Sequence, residues 1–137
     1  MMSWNRIILI GTLIGATQLA SAEPVPGLDA AKAWLKLVDN GQYQRSWHDA
    51  APVFQQRFST DDWVNISEYA RLPLGKQLSR TLINHYRAET AAGPENEGGT
   101  YIKLDFKTTF ENRQAATERV TLHQEASDWQ VTSYLIH

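Results

Sequence analysis

The chain contains no cysteine. That excludes disulfides, a thiol nucleophile and a lipid attached at a lipobox cysteine. A small exported protein without disulfides fits a bacterial periplasm or medium better than a disulfide-dense animal secretome. The chain also has no excess of one charge: 13 Lys and Arg face 15 Asp and Glu, net −2, with both signs interspersed. Without a basic stripe, nucleic-acid binding and polybasic attachment to a membrane surface are both disfavoured. There is no twin arginine, no internal repeat and no low-complexity tract. Nor is there a glycine-rich phosphate loop, because Gly98-Gly99 lacks the lysine and helix that would have to follow. No serine sits in a nucleophile-elbow context.

No apolar run is long enough to span a bilayer. Ile7 to Ala16 is about ten residues, roughly half of a spanning helix. Arg6 precedes it and Ala20-Ser21-Ala22 follows, which is the layout of a signal peptide. Cleavage is expected between Ala22 and Glu23, leaving no stable membrane anchor and a periplasmic or secreted product. The alternative is an uncleaved anchor. Loss of Arg6 with the leader would make the remaining chain one unit more acidic. Glu23 to Leu28 reads as a linker, with Pro24 and Pro26 fixing extended geometry. Residues 29–137 suit one domain with one core.

The last third carries the clearest pattern. In Tyr101–Phe110, Ile102, Leu104, Phe106 and Phe110 alternate with Lys103, Asp105 and Lys107, the period-two signature of a strand with one dry face. Thr117–Glu125 and Trp129–Ile136 follow the same rhythm. Leu78–Tyr86 reads as a further strand, although Leu78, Leu82 and Ile83 also permit a helix. Earlier segments read as helices. Ala30–Asp39 follows Asp29 as N-cap, buries Ala31, Trp34, Leu35 and Val38, and ends at Asn40-Gly41. Tyr43, Trp47, Phe54 and Phe58 mark a second helical segment with a kink or a break expected just before Pro52, which would open the first turn of a new helix. Ser59-Thr60-Asp61-Asp62 restarts a third, with Trp63, Ile66 and Ala70 inward, stopped by Leu72-Pro73-Leu74-Gly75. The expected fold is α+β: three N-terminal helices on one face of a curved antiparallel sheet of about four strands. Such a fold often leaves a pocket between its layers.

Glu118 shares strand parity with Ala116, Val120 and Leu122, so it points to the core if they do. A buried carboxylate must pair, titrate or meet water. Read chemically, Glu118 is the one candidate catalytic residue, an acid, a base or a ligand anchor, with Tyr43 or Tyr86 as hydrogen-bond donor. Read structurally, it is an ion-pair partner of Arg71 or Arg80, or sits on a wet face. The histidines, His48, His85, His123 and His137, show no metal-ligand spacing, and a scattered surface role is expected; no metal or cofactor is implied. The aromatic set of Trp34, Tyr43, Trp47, Phe54, Phe58, Trp63, Tyr101, Phe106, Phe110, Trp129 and Tyr134 falls at core-compatible positions or lines a ligand cage.

These residues carry a resemblance. Trp34, Val38-Asp39, Tyr43, Ser46-Trp47, Ala50-Ala51, Phe54 and Trp63 lead to Arg71, Pro73-Leu74-Gly75 and Arg80. Glu118, Val120-Thr121-Leu122, Trp129 and Tyr134 complete the set. Over nearly all of the mature chain this resembles an exported bacterial domain of unknown function, family 4019. The resemblance implies a cystatin-like or nuclear-transport-factor-two-like fold and no established activity. One departure is Ser133, where the family pattern has glycine before the last tyrosine.

The function expected from these readings is a non-catalytic exported binding or interaction domain. It would hold a small apolar ligand or a periplasmic protein, with pocket or core candidates Trp34, Tyr43, Trp47, Trp63, Arg71, Arg80, Glu118 and Tyr134. The alternatives are a small isomerase- or dehydratase-like enzyme built on Glu118, and a homodimer formed through the open sheet face.

Overall fold

In a computed structural model, residue 15 and residues 23–94 and 97–137 are described. The leader segment and its expected cleavage after Ala22 lie outside these residues. Among the described residues, four α-helices precede four strands: α1 Leu28–Asp39, α2 Tyr43–Asp49, α3 Pro52–Arg57, α4 Thr60–Arg71, then β1 Gln77–Thr90, β2 Gly99–Phe110, β3 Arg113–Glu125 and β4 Asp128–Ile136. The sheet is an antiparallel meander in the order β1-β2-β3-β4. It is the expected α+β architecture, with the helices preceding the sheet and packing on it.

The helix breaks follow from the sequence. Ala50 and Ala51 are extended ahead of Pro52, which starts α3, so of the expected kink or break it is the break that forms, giving two separate helices. The break docks on the sheet, where the Ala51 N–H donates to the Val131 carbonyl at 2.8 Å. The Ser59 hydroxyl accepts the Asp62 N–H at 3.1 Å and caps α4. After Arg71 a single tight turn, Leu72–Leu74, leads into β1.

Three expectations need correction. Helix α1 begins at Leu28, so Asp29 lies in its first turn, where its charge suits the positive helix end, and is not the N-cap. Val25 and Leu28, expected in a linker, pack against the core. On α4 the buried stripe is Trp63, Ser67 and Arg71, while Ile66 is 45 % exposed. The helix is rotated from its apolar stripe because Arg71 has buried ionic partners, described below.

The dry face of β2 is the expected one. Ile102, Leu104, Phe106 and Phe110 are buried, and Thr108 joins them. Across β3 they meet Leu122, Val120, Glu118 and Ala116. Register shifts at Leu82/Asn84, Thr108/Phe110 and Thr121/Leu122 mark bulges, which bend strands and increase their twist. The helices supply an aromatic layer above this face. Phe54 meets Trp63 edge-on at 4.8 Å between centroids, and Trp34 lies 5.4 Å from Tyr134. Ser46 organises the layer: its carbonyl accepts the Trp34 indole N–H at 2.8 Å, and its hydroxyl accepts that of Trp63 at 2.9 Å. Side chains therefore fill the space between helices and sheet at this end.

Candidate functional site

Glu118 is 0 % exposed on the inner face of β3. Such a carboxylate persists only if its oxygens are satisfied. Oε1 accepts from Arg80 Nε at 2.8 Å and from the Thr108 hydroxyl at 2.5 Å. Oε2 accepts a very short hydrogen bond from the Tyr134 hydroxyl and lies 3.9 Å from Arg71 Nη1. Arg80 turns its other two nitrogens to Asp39, Nη1 to Oδ2 at 2.8 Å and Nη2 to Oδ1 at 2.9 Å. Arg71 adds Nη2 to Asp39 Oδ1 at 2.6 Å, and its guanidinium lies 4.8 Å from the Phe110 ring centroid. Two guanidinium groups and two carboxylates thus form one neutral unit tying α1, α4, β1 and β3 together.

The ionisation of these groups follows from their neighbours. Burial opposes charge on Asp39, but hydrogen bonds from Arg80 and Arg71 outweigh it and hold the carboxyl below its ordinary 3.8. For Arg80, burial is again overcome, here by Asp39 and Glu118, and the guanidinium is held still more firmly protonated. Burial, with the Glu118 charge second, pushes the Tyr134 phenol well above its ordinary 10.0. A general base must have an open lone pair within reach of a substrate proton. Glu118 is fully buried with both oxygens hydrogen-bonded, out of reach of a substrate proton, and the unit's geometry is that of a closed structural clamp.

Of the sequence candidates, Arg71, Arg80, Glu118 and Tyr134 come together in this unit, and Trp34 and Trp63 pack beside Tyr134. Trp47 is half-buried and donates its indole N–H to the Phe58 carbonyl at 2.8 Å. Tyr43 borders a shallow depression of about 330 Å³ with Asp39, Arg71, Lys76 and Glu111. Tyr86 is exposed and bonded to Asn84, so neither Tyr43 nor Tyr86 is the tyrosine at Glu118. Asp39 and Thr108 were missed. Asp39 had a signal: an acid at a helix C-terminus opposes the helix dipole and needs a cation nearby. Thr108 had one too, as the polar member of an apolar alternation.

The second assembly lies at the other end of β3. A groove of about 500 Å³ is lined by Val53 and Arg57 of α3, Tyr101, Thr121 and His123 of the sheet, and Glu97 of the β1–β2 connection. His123, expected at the surface, is only 7 % exposed. Its ring lies against Tyr101 at 4.5 Å between centroids, and the connection folds back over it. Nε2 is 2.7 Å from the Gly98 carbonyl oxygen, and Nδ1 is 2.9 Å from Glu125 Oε1 and 3.9 Å from Glu97 Oε2. Glu118 lines neither depression. Among the described residues, no helix is long and apolar enough to cross a membrane.

The model of a family described as "Protein of unknown function (DUF4019)" covers residues 30–134. No curated protein matches the chain.

Proposed function

We propose that this chain, which belongs to the DUF4019 family of proteins of unknown function, is an exported, non-catalytic binding domain. Its ligand or partner seats in the groove between α3, the β2–β4 surface and the β1–β2 connection. The observation that carries this reading is the contrast in access. The strongest candidate for acid–base chemistry, Glu118, is fully buried with both oxygens hydrogen-bonded, whereas the groove presents Arg57, Glu97, Thr121 and Ser133 beside Val53, Pro94 and Tyr101. A lining that mixes apolar surface with several convergent polar groups suits a small ligand with polar or charged ends better than the apolar one expected from sequence. Export is supported by the leader-like run before Ala22 and by the lack of cysteine.

The binding reading is tested on metal-free protein, residues 23–137, by amide chemical-shift mapping against small polar metabolites and fractions of a bacterial cell envelope. Shifts centred on Val53, Arg57, Tyr101 and Thr121, and reduced in Arg57→Ala, are expected. Shifts confined to the Asp39–Lys76 edge would overturn the groove assignment. An isomerase or dehydratase activity abolished in a folded Glu118→Gln variant would overturn the non-catalytic reading. Intact mass of protein recovered from fractionated cells tests export: a periplasmic species beginning at Glu23 is expected, and a full-length cytoplasmic one contradicts it.

A further inference from the structure

We infer that His123, Glu125 and Glu97 form a binding site for one divalent transition-metal ion of the zinc type. A carbonyl oxygen only accepts hydrogen bonds. At 2.7 Å from the Gly98 oxygen, His123 Nε2 therefore carries the ring hydrogen. In the neutral ring Nδ1 then bears a lone pair, and that lone pair faces a carboxylate oxygen 2.9 Å away and a second at 3.9 Å. Two acceptors and a lone pair repel one another unless a positive species sits among them. A proton on Nδ1 would make one hydrogen bond, to Glu125, and leave Glu97 at 3.9 Å as a charge partner without a bond. A metal ion accounts for all three groups.

The geometry and the donor chemistry agree. The three ligand atoms lie within 4.8 Å of one another. Two ligands at ~2.1 Å from a tetrahedral ion stand about 3.4 Å apart, between the two distances seen from Nδ1. Imidazole with carboxylate selects a zinc-type ion over calcium or magnesium, which take oxygen alone. The Nε2–H bond to a backbone carbonyl is the outer contact that fixes the tautomer and orientation of a ligating histidine. The ring is held by its burial and by Tyr101. His123 and Glu125 are two apart on β3 and so share a face, and Glu97 arrives from the connection opposite. Three protein ligands leave one position of a tetrahedral ion free. The inference rests on the groove reading for what would complete the metal's coordination, and not for the metal ligands themselves.

The experiment is a calorimetric titration of Zn(II) into tag-free, chelator-stripped protein, with Co(II) absorption as the spectroscopic readout. One ion per chain is expected. His123→Gln and Glu125→Gln should each weaken binding by at least ~10-fold, and Glu97→Gln by less. His123 is buried and its variant can misfold; Glu125→Gln and Glu97→Gln lie at more exposed positions and keep the test valid. A variant carrying His48→Gln, His85→Gln and His137→Gln together should bind as the parent does. Absence of stoichiometric binding, undiminished binding in Glu125→Gln, or loss of binding in the triple variant would overturn the site. Arg57→Ala should leave Zn(II) affinity unchanged while weakening the metal-free groove interaction, so either reading can fail while the other stands.

Discussion

Glu118 and His123 stand on the same strand, β3, on opposite faces of the sheet, and each is a buried titratable side chain surrounded by charge. They differ in how that charge is balanced. Around Glu118 the guanidinium groups of Arg71 and Arg80 match the carboxylates of Glu118 and Asp39, and Thr108 and Tyr134 fill remaining acceptor sites. Around His123 two carboxylates converge on one imidazole whose other nitrogen is already committed. A balanced set in a dry layer locks elements together. An unbalanced set beside a groove is a place for something from solution. Buried charge alone is therefore a poor guide to function in this molecule; the count of partners of each sign is the better one.

The sharpest break between the two assemblies should come from removing one acid from each. Glu118→Ala leaves two guanidinium groups short of a partner in the core and should cost about 3–5 kcal/mol. Glu125→Ala, on metal-free protein, removes a half-exposed acid and should change stability by less than about 0.5 kcal/mol. Urea denaturation of both variants at neutral pH measures the difference. Equal costs would mean that the inner unit is not the clamp described above.

Acid sharpens the same contrast. The Asp39 carboxyl is held below its ordinary 3.8 in the folded chain, so its stabilisation is fully present above that value. It is lost as pH falls through the lower folded-state value. Stability of the parent should fall steeply below about pH 4, and Asp39→Asn, less stable at neutral pH, should show a flatter acid limb. Denaturation midpoints followed by circular dichroism down the pH scale report both. A variant with an unchanged acid slope would remove Asp39 from the balance.

Much of the fold was readable because its signals are local. The alternation through Ile102, Leu104 and Phe106, the Pro52 break and the Ser59 cap each state their structure within a few residues. Parity tied Glu118 to Ala116, Val120 and Leu122 and left open which face was dry; that face is the buried one, and both candidate partners, Arg71 and Arg80, are present. The rest depended on contacts distant in sequence. Ile66 outranked Ser67 and Arg71 on apolarity, but Arg71 is drawn inward by Asp39, 32 residues away. His123 looked like a surface residue because nothing near it announces that Gly98 will return to cover it, 25 residues earlier in the chain. His123 and Glu125 escaped a search for ligand spacing because their third partner comes from the β1–β2 connection.

The smallest effect concerns that covering loop. Gly99 has φ +100, and a Cβ there would stand 2.9 Å from His123 Nε2. Gly41 has φ +72, and a Cβ there would meet nothing within 4 Å. Alanine at either position suffers a similar backbone penalty of about 1 kcal/mol. Only Gly99→Ala must also push the His123 ring away from the Gly98 carbonyl. Gly99→Ala should lose somewhat more stability in urea than Gly41→Ala, and only Gly99→Ala should shift the His123 ring resonances and weaken Zn(II) binding. Ring resonances of His123 that stay in place in Gly99→Ala would mean the loop backbone does not set the imidazole's position, and the unbalanced assembly would lose the rigidity that separates it from an ordinary surface histidine.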